Sequence, residues 1–414
     1  MRDVKSRLYR SRYLNNESLA IKNGKLLIYD RTIPELLKNY TTPLYVFLED
    51  QVRKNCRVFI RLLSKYFKYY NIYYSFKTNY LQKICDIISQ EGLGAEVVSI
   101  SEMELARTCK SKKTIFSGIY ISDSILNYVK EYGIETLVIS QIKELSRVNT
   151  FMAENGLKQE IAIRLKSFDY SHFSGIEYTP ETFKKMLKLL SVCENLKLTM
   201  LHYHIGTQIL KNEPRIKHIK YILDVYEKFE NAGFKIPKLN LGGGFPEAGV
   251  FSEDDLSSFL NSLKDILQEN WDKIEINFEP GRYIVGNTGL LLMKVHNTFQ
   301  IGKENWILVD AGDHILPKAS KSNFRFIFTD KLDKPHKNKI SIKGCLPTDI
   351  DILAKNYPSP AGVSSGDIIA VANAGAYTLT WSFRFSFPLP AVILINKNGI
   401  EELKPQGNKN ELYY

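Results

Sequence analysis

The chain is short of cysteine, of long apolar runs and of any concentrated block of charge, and each shortage closes off a class of protein. Five cysteines in 414 residues, Cys56, Cys85, Cys109, Cys193 and Cys345, are odd in number, widely spaced and without a CxxC pair. That spacing argues against a disulfide framework or a cysteine zinc site, and the expected setting is a reducing cytoplasm. The longest apolar stretches, such as 289–293, fall far short of a bilayer. The opening MRDVKSRLYRSRYL carries Arg and Lys with no apolar run behind it, so neither a signal peptide nor a membrane anchor is expected. The net charge of +11 is spread from Arg2 to Lys409, and spread charge gives no ground for a nucleic-acid partner. A lysine-rich solvated surface explains most of it, and a local positive site for an anionic ligand is the cheaper functional reading.

What is present is ordinary globular composition, 44% hydrophobic and 12% aromatic, in a chain long enough for an α/β barrel with an added domain. From about residue 45 to 285, short β-type runs alternate with stretches of helical period, which implies βα units and a parallel sheet. Eight candidate strands stand out: LYVF (44–47), IYYSF (72–76), AEVV (95–98), TLVIS (136–140), IAIRL (161–165), LTMLHYHI (198–205), KLNLGG (238–243) and EINFEP (275–280). Eight suit a closed barrel. After residue 286 the pattern changes to strand-like segments without long helices, read as a β-rich domain. The expected organisation is therefore α/β: a segment 1–40 whose KLLIYD strand pairs with the C-terminal strands, a parallel (β/α)8 barrel over 41–285, and a β-rich domain over 286–414.

In such a barrel the chemistry sits at the C-terminal ends of the strands, so polar residues following each apolar run carry the interest. Lys77 follows IYYSF, and His204 opens the turn that holds Gly206 and Thr207. Gly242, Gly243 and Gly244 follow the seventh candidate strand, and Glu279, Gly281 and Arg282 the eighth. Consecutive glycines let backbone N–H groups approach an anion, and Arg282 adds a fork of donors. Taken singly, a glycine triplet reads as a tight turn and a lysine as a solvated side chain, so only their joint occurrence gives them force. His202 and His204 share one face of a strand, which raises a metal site, but no further ligand stands at matching spacing and none is expected.

Together these motifs resemble the fold type III pyridoxal-phosphate decarboxylases, the group of diaminopimelate, ornithine and arginine decarboxylases. TPLYVF (42–47), YYSFKTN (73–79), GLGAEVVSISEMELA (92–106), HIGTQ (204–208), LGGGFP (241–246), EPGRYIVG (279–286) and AGAY (374–377) stand in the family order, with Glu96 where an aspartate is usual. The resemblance implies that Lys77 carries pyridoxal 5'-phosphate as a Schiff base and that His204 stacks on the pyridine ring. It places Thr207, Gly243, Gly244, Gly281, Arg282 and Tyr377 around the phosphate, and Glu279 at the pyridine nitrogen. A carboxylate there keeps the nitrogen protonated and the ring a strong electron sink, which favours decarboxylation over racemisation. The related alanine racemases have an arginine at that place.

One segment departs from the family. Its form GPxCESxD brings a cysteine and an acid to the active site of the partner subunit, whereas 344–351 here reads GCLPTDID. Pro347 falls on the cysteine position and Thr348 on the acidic one, with Cys345 two residues early and Asp349 or Asp351 left to meet a cationic group. Lys318 stands where the diaminopimelate enzymes hold a substrate carboxylate with arginine, which puts diaminopimelate in doubt as substrate. The resemblance further implies a homodimer with shared active sites and a small amino-acid substrate that leaves as an amine after loss of carbon dioxide. Two other readings stay open: a decarboxylase of a conjugated intermediate in siderophore or peptide natural-product synthesis, and a non-catalytic regulator similar to the antizyme inhibitors.

Overall fold

The computed structural model describes residues 18–168, 174–267, 273–408 and 410. Residues 1–17 of the expected N-terminal segment lie outside the described residues. The chain forms two compact units, one of residues up to Asn55, Glu247–Val250 and those from Ile284 onward, the other of Cys56–Pro246 and Phe251–Tyr283.

The first unit begins with a meander of β1 (Leu19–Lys22), β2 (Lys25–Ile28) and β3 (Arg31–Thr32). Thr32 closes it with a capping box to Glu35, which starts the short helix Ile33–Leu36. β4 (Leu44–Leu48) follows and lies in the large sheet of this unit, antiparallel to Gly289–Leu292 and parallel to Ala391–Ile395.

The second unit is a closed, all-parallel barrel of β5 (Tyr70–Ser75), β6 (Gly94–Val97), β7 (Thr114–Phe116), β8 (Thr136–Ile139), β9 (Gln159–Leu165), β10 (Leu196–Tyr203), β11 (Lys238–Asn240) and β12 (Glu275–Phe278), with β12 pairing back to β5. Helices connect successive strands, and side-chain caps mark several of their starts. Ser99, for example, accepts from the Glu102 N–H and opens the helix Ile100–Thr108. Phe59, Phe245, Phe259 and Phe278 meet edge to face, with ring centroids 5.4–6.2 Å apart, and lock one side of the barrel.

Back in the first unit, β13 (Gly289–Ile301), β14 (Glu304–Val309), β15 (Arg325–Phe328), β16 (Asn338–Lys343), β17 (Ile352–Ser359), β18 (Ile368–Ala372), β19 (Ala391–Asn396) and β20 (Gly399–Lys404) complete a nine-stranded sheet with β4. Every second residue, Leu44, Val46 and Leu48, Leu290 and Leu292, Ala391, Ile393 and Ile395, lies on one face and packs with Leu19, Leu26, Ile28, Ile33 and Leu36.

The barrel and the β-rich part are as the sequence predicts, but two strand assignments change. LYVF is not a barrel strand: all five residues of β4 are buried, and a strand buried on both faces reads like a parallel barrel strand wherever it lies. The eighth barrel place goes to β7, whose TIF offers only two apolar residues as a signal. KLLIYD pairs along its length with its own neighbours β1 and β3, is tied to the C-terminal part by the Leu26 N–H donating to the Thr329 carbonyl at 2.6 Å, and contributes packing to the sheet's face.

Candidate active site

The barrel unit brings polar side chains from seven of its eight strands into one constellation. Lys77 sits in a single 3-10 turn straight after β5. Its Nζ donates to Glu96 of β6, 2.6 Å from Oε1 and in contact with Oε2. Ser75 at the end of β5 and Ser117 just past β7 donate to the same carboxylate. Burial pushes the Glu96 carboxyl upward, but the Lys77 ammonium and the three hydrogen-bond donors outweigh it and hold the group at about 2. Such a carboxylate is a weak base, so it keeps a cation in place rather than taking its proton. Nearby, burial pushes Glu102 up to about 7, against the hydrogen bond it receives from the Val98 N–H.

Glu279, following β12, is buried, and its Oε1 accepts from two neighbours: His202 Nε2 at 2.9 Å and Asn240 Nδ2 at 2.9 Å. Burial raises its carboxyl, but His202 and Lys77 bring it below its ordinary value, so the group stays ionised. His202, weighed above as half of a metal pair, is thus a partner of Glu279. Among the described residues no three His, Cys, Asp or Glu side chains are grouped to hold a metal ion. His204, two residues on, is held well below its ordinary value by burial and by the adjacent Arg164, so its ring is neutral. Its Nδ1 accepts from the Gly243 N–H at 3.4 Å.

Two close approaches shape the turns. Gly244 takes φ +82°, and a Cβ there would stand 2.5 Å from the Gly206 carbonyl. A Cβ on Gly281 would stand 2.1 Å from Thr78 Oγ1. The turn at Thr207, which is exposed, is tied to the glycine turn by Ile209 N–H donating to the Gly244 carbonyl at 3.1 Å. Arg282 is buried at the start of a short helix. Lys77, His204, Thr207, Gly243, Gly244, Glu279, Gly281 and Arg282 therefore all belong to this unit. Those residues suit pyridoxal phosphate. They offer a primary amine beside a carboxylate, a flat neutral ring, a buried ionised carboxylate and glycine turns with no room for a side chain.

Several contributors were not singled out by sequence reasoning. Asn240, Arg164 and Ser75 stand in strands and Ser117 just past one, and the signal for Asn240 was a polar residue two places before the glycine turn.

The other predicted residues belong to the first unit. Tyr377 takes φ +58°, a left-handed conformation unusual for an aromatic residue, with its ring 6.1 Å from that of Trp381. Cys345 is partly buried, its N–H donates to the Ala311 carbonyl at 3.1 Å, and burial pushes its thiol up to about 12, so it is a thiol rather than a thiolate. Asp351 is fully buried and accepts from the N–H groups of Asp313 and Leu346, both at 2.8 Å. It is a brace, not the cation site considered above. Lys343 Nζ donates to the carbonyls of Gly344, Leu346 and Thr348 at 3.3, 3.0 and 3.0 Å. Lys318 straps the same segment, donating to the Ile350 carbonyl at 2.7 Å, and lines a cleft of about 200 Å³ with Leu316, Phe324, Phe326 and Leu353. Asp349 is exposed and Thr348 partly so.

Among the described residues no helix is long and apolar enough to cross a membrane. Residues 49–286 match the family model for the pyridoxal-binding domain of pyridoxal-dependent decarboxylases. The chain is 28% identical to a diaminopimelate decarboxylase of Aquifex aeolicus, over 95% of this chain and 96% of that one. It is 25% identical to the diaminopimelate decarboxylase of Methanocaldococcus jannaschii, over 94% of each. The crystal structure of a diaminopimelate decarboxylase from M. jannaschii superposes with a TM-score of 0.88 over 97% of this chain and 98% of that one, at 24% identity, which speaks for the fold. With a family model spanning more than half its length, the chain belongs to the pyridoxal-dependent decarboxylases and is a pyridoxal-phosphate-dependent amino-acid carboxy-lyase.

Proposed function

We propose that the enzyme decarboxylates an amino acid other than free diaminopimelate, with Lys77, His204 and Glu279 as its cofactor-contacting residues. The observation that carries the catalytic reading is the buried, ionised Glu279 carboxylate fixed from two sides by His202 and Asn240. Pyridoxal phosphate supplies the sink for the electron pair released when the Cα–carboxylate bond breaks. Glu279 keeps the proton on a pyridine nitrogen set against it. Lys77 would offer the amine that attaches the cofactor, and Glu96 holds that amine whenever it is a free ammonium. His204, neutral, presents a ring face that carries no charge to oppose the nitrogen's proton. The glycine turn, Thr207, Gly281 and Arg282 would hold the phosphate.

The substrate reading rests on the segment 344–351. Pro347 offers neither donor nor acid, and Thr348 holds an ammonium group less well than a carboxylate does. Lys318 in place of an arginine fork changes the far end again, because a lysine is a point charge. Asp349, the exposed acid of the segment, is the remaining candidate for a cationic group, and Cys345 for the family's thiol. The family's homodimer, in which this segment serves the partner's active site, completes the reading. The test is carbon dioxide release from diaminopimelate, lysine, ornithine and arginine beside larger conjugated amino acids. Efficient turnover of diaminopimelate overturns the substrate claim and leaves the cofactor assignment standing.

A further inference from the structure

Arg215, in the first turn of the helix Asn212–Asn231, is a buried cation with no acid beside it. Its Nη1 donates to the Gly243 carbonyl and its Nη2 to the Ile209 carbonyl, both at 3.2 Å. Its guanidinium lies 4.1, 5.4 and 5.8 Å from the ring centroids of Phe245, Phe259 and Phe251. Among the described residues Nε has no partner, and no carboxylate pairs with the group. Burial alone pushes its pKa down to about 9, which still leaves it charged at neutral pH. Carbonyl dipoles and aromatic faces offset part of the desolvation. The arrangement leaves one positive charge directly behind the glycine turn.

Peptide geometry gives that contact a direction. A trans peptide points its C=O and the following N–H to opposite sides. The Gly243 carbonyl is held toward Arg215, so the Gly244 N–H must face away from it. The neighbouring peptides are fixed in the same manner: the Gly242 carbonyl accepts from the Glu279 N–H at 2.9 Å, and the Gly244 carbonyl from the Ile209 N–H. Three successive carbonyls are thus occupied, and three successive N–H groups have their directions set.

We infer that Arg215 is a positioning residue for the cofactor's phosphate, aiming the Gly244 N–H and placing an uncompensated positive charge behind the turn that a dianion in front of it neutralises. The inference rests on the reading of the glycine turn as the phosphate site. It assigns a role to a side chain that touches neither cofactor nor substrate.

The measurement is the affinity of the cofactor-free enzyme for pyridoxal phosphate and for pyridoxal, which lacks the phosphate, followed by the absorbance of the bound ring. Arg215→Met should weaken pyridoxal phosphate roughly tenfold or more, the scale of one charge-assisted hydrogen bond, and leave pyridoxal unchanged. If Arg215→Met does not fold, Arg215→Lys carries the same test, since it keeps the charge but cannot reach both carbonyls. Its expected loss is several-fold and again confined to pyridoxal phosphate. Parallel loss for both ligands would make Arg215 a merely structural residue, and no loss for either would remove it from the site. Gly244→Ala separates the two readings. If that variant keeps its preference for the phosphorylated ligand, the turn is not the phosphate site; if it loses the preference while the Arg215 variants keep it, only the present inference falls.

Discussion

The side-chain amide of Asn240 donates to Glu279 Oε1 at 2.9 Å, and its oxygen accepts from the Gly242 N–H at the same distance. One side chain thus couples the buried carboxylate to the glycine turn. Asn240→Ala leaves two buried groups each one partner short, at about 1–3 kcal/mol for each. Asn240→Asp should be worse for turnover, because two carboxylates at this distance trap a proton and Glu279 can then no longer hold one on the cofactor nitrogen. Comparing kcat for the two variants checks this, and equal losses would show that the contact acts only through shape.

Removal of the Lys77 amine tests the cofactor attachment. Lys77→Ala should lose the long-wavelength absorbance of the bound cofactor and the adduct trapped by borohydride. An adduct that maps to another lysine would reassign the role.

Glu279→Gln keeps the size of the side chain and the contact from Asn240 but removes the charge. Turnover should drop far more than cofactor affinity, as expected for an interaction that matters mainly in the transition state. Turnover equal to that of the wild type would refute the electron-sink argument.

Glu102 predicts a pH dependence of stability. Its carboxyl is raised from an ordinary 4.5 to about 7, so the folded state binds its proton more tightly than the unfolded chain does. The sign follows: this contribution is fully present below pH 4.5 and is lost as pH rises through about 7, on the order of 3 kcal/mol. Glu102→Gln, which stays neutral, should therefore melt above the wild type at pH 8, with the gap closing toward pH 5. A gap that is constant across this range would assign the effect to packing.

The cofactor motifs were legible because each is short and local. YYSFKTN, HIGTQ, LGGGFP and EPGR each place a reactive or flexible residue just past an apolar run, and that position follows from strand period alone. The groups that tune them were not legible, since Glu96 lies 21 residues from each of its two serines and Asn240 lies 39 from Glu279. Only the pairing of neighbouring strands, β5 with β6, β6 with β7 and β11 with β12, brings these together. The same limit explains Arg215, a lone arginine in an amphipathic helix whose partner, the Gly243 carbonyl, is 28 residues away. In the fold, β4 and β7 were exchanged in the strand count because burial on both faces mimics a barrel strand, whereas three residues give almost no period. The large sheet was legible as β-rich, but the order of its strands depends on pairings that no local pattern carries.

The frame of the segment 344–351 is made mostly by residues other than the ones at its exposed tip. Lys343 gathers three of its carbonyls, Asp351 two amide groups, and Lys318 the Ile350 carbonyl. Pro347, Asp349 and Ile350, which are exposed, add no side chain to that bracing. Shape and surface are therefore written in different residues, so selection can rewrite what the loop shows to a ligand without having to reinvent the loop. A lineage could drift from one amino-acid substrate to another through two or three exposed positions, and the fold would register none of it.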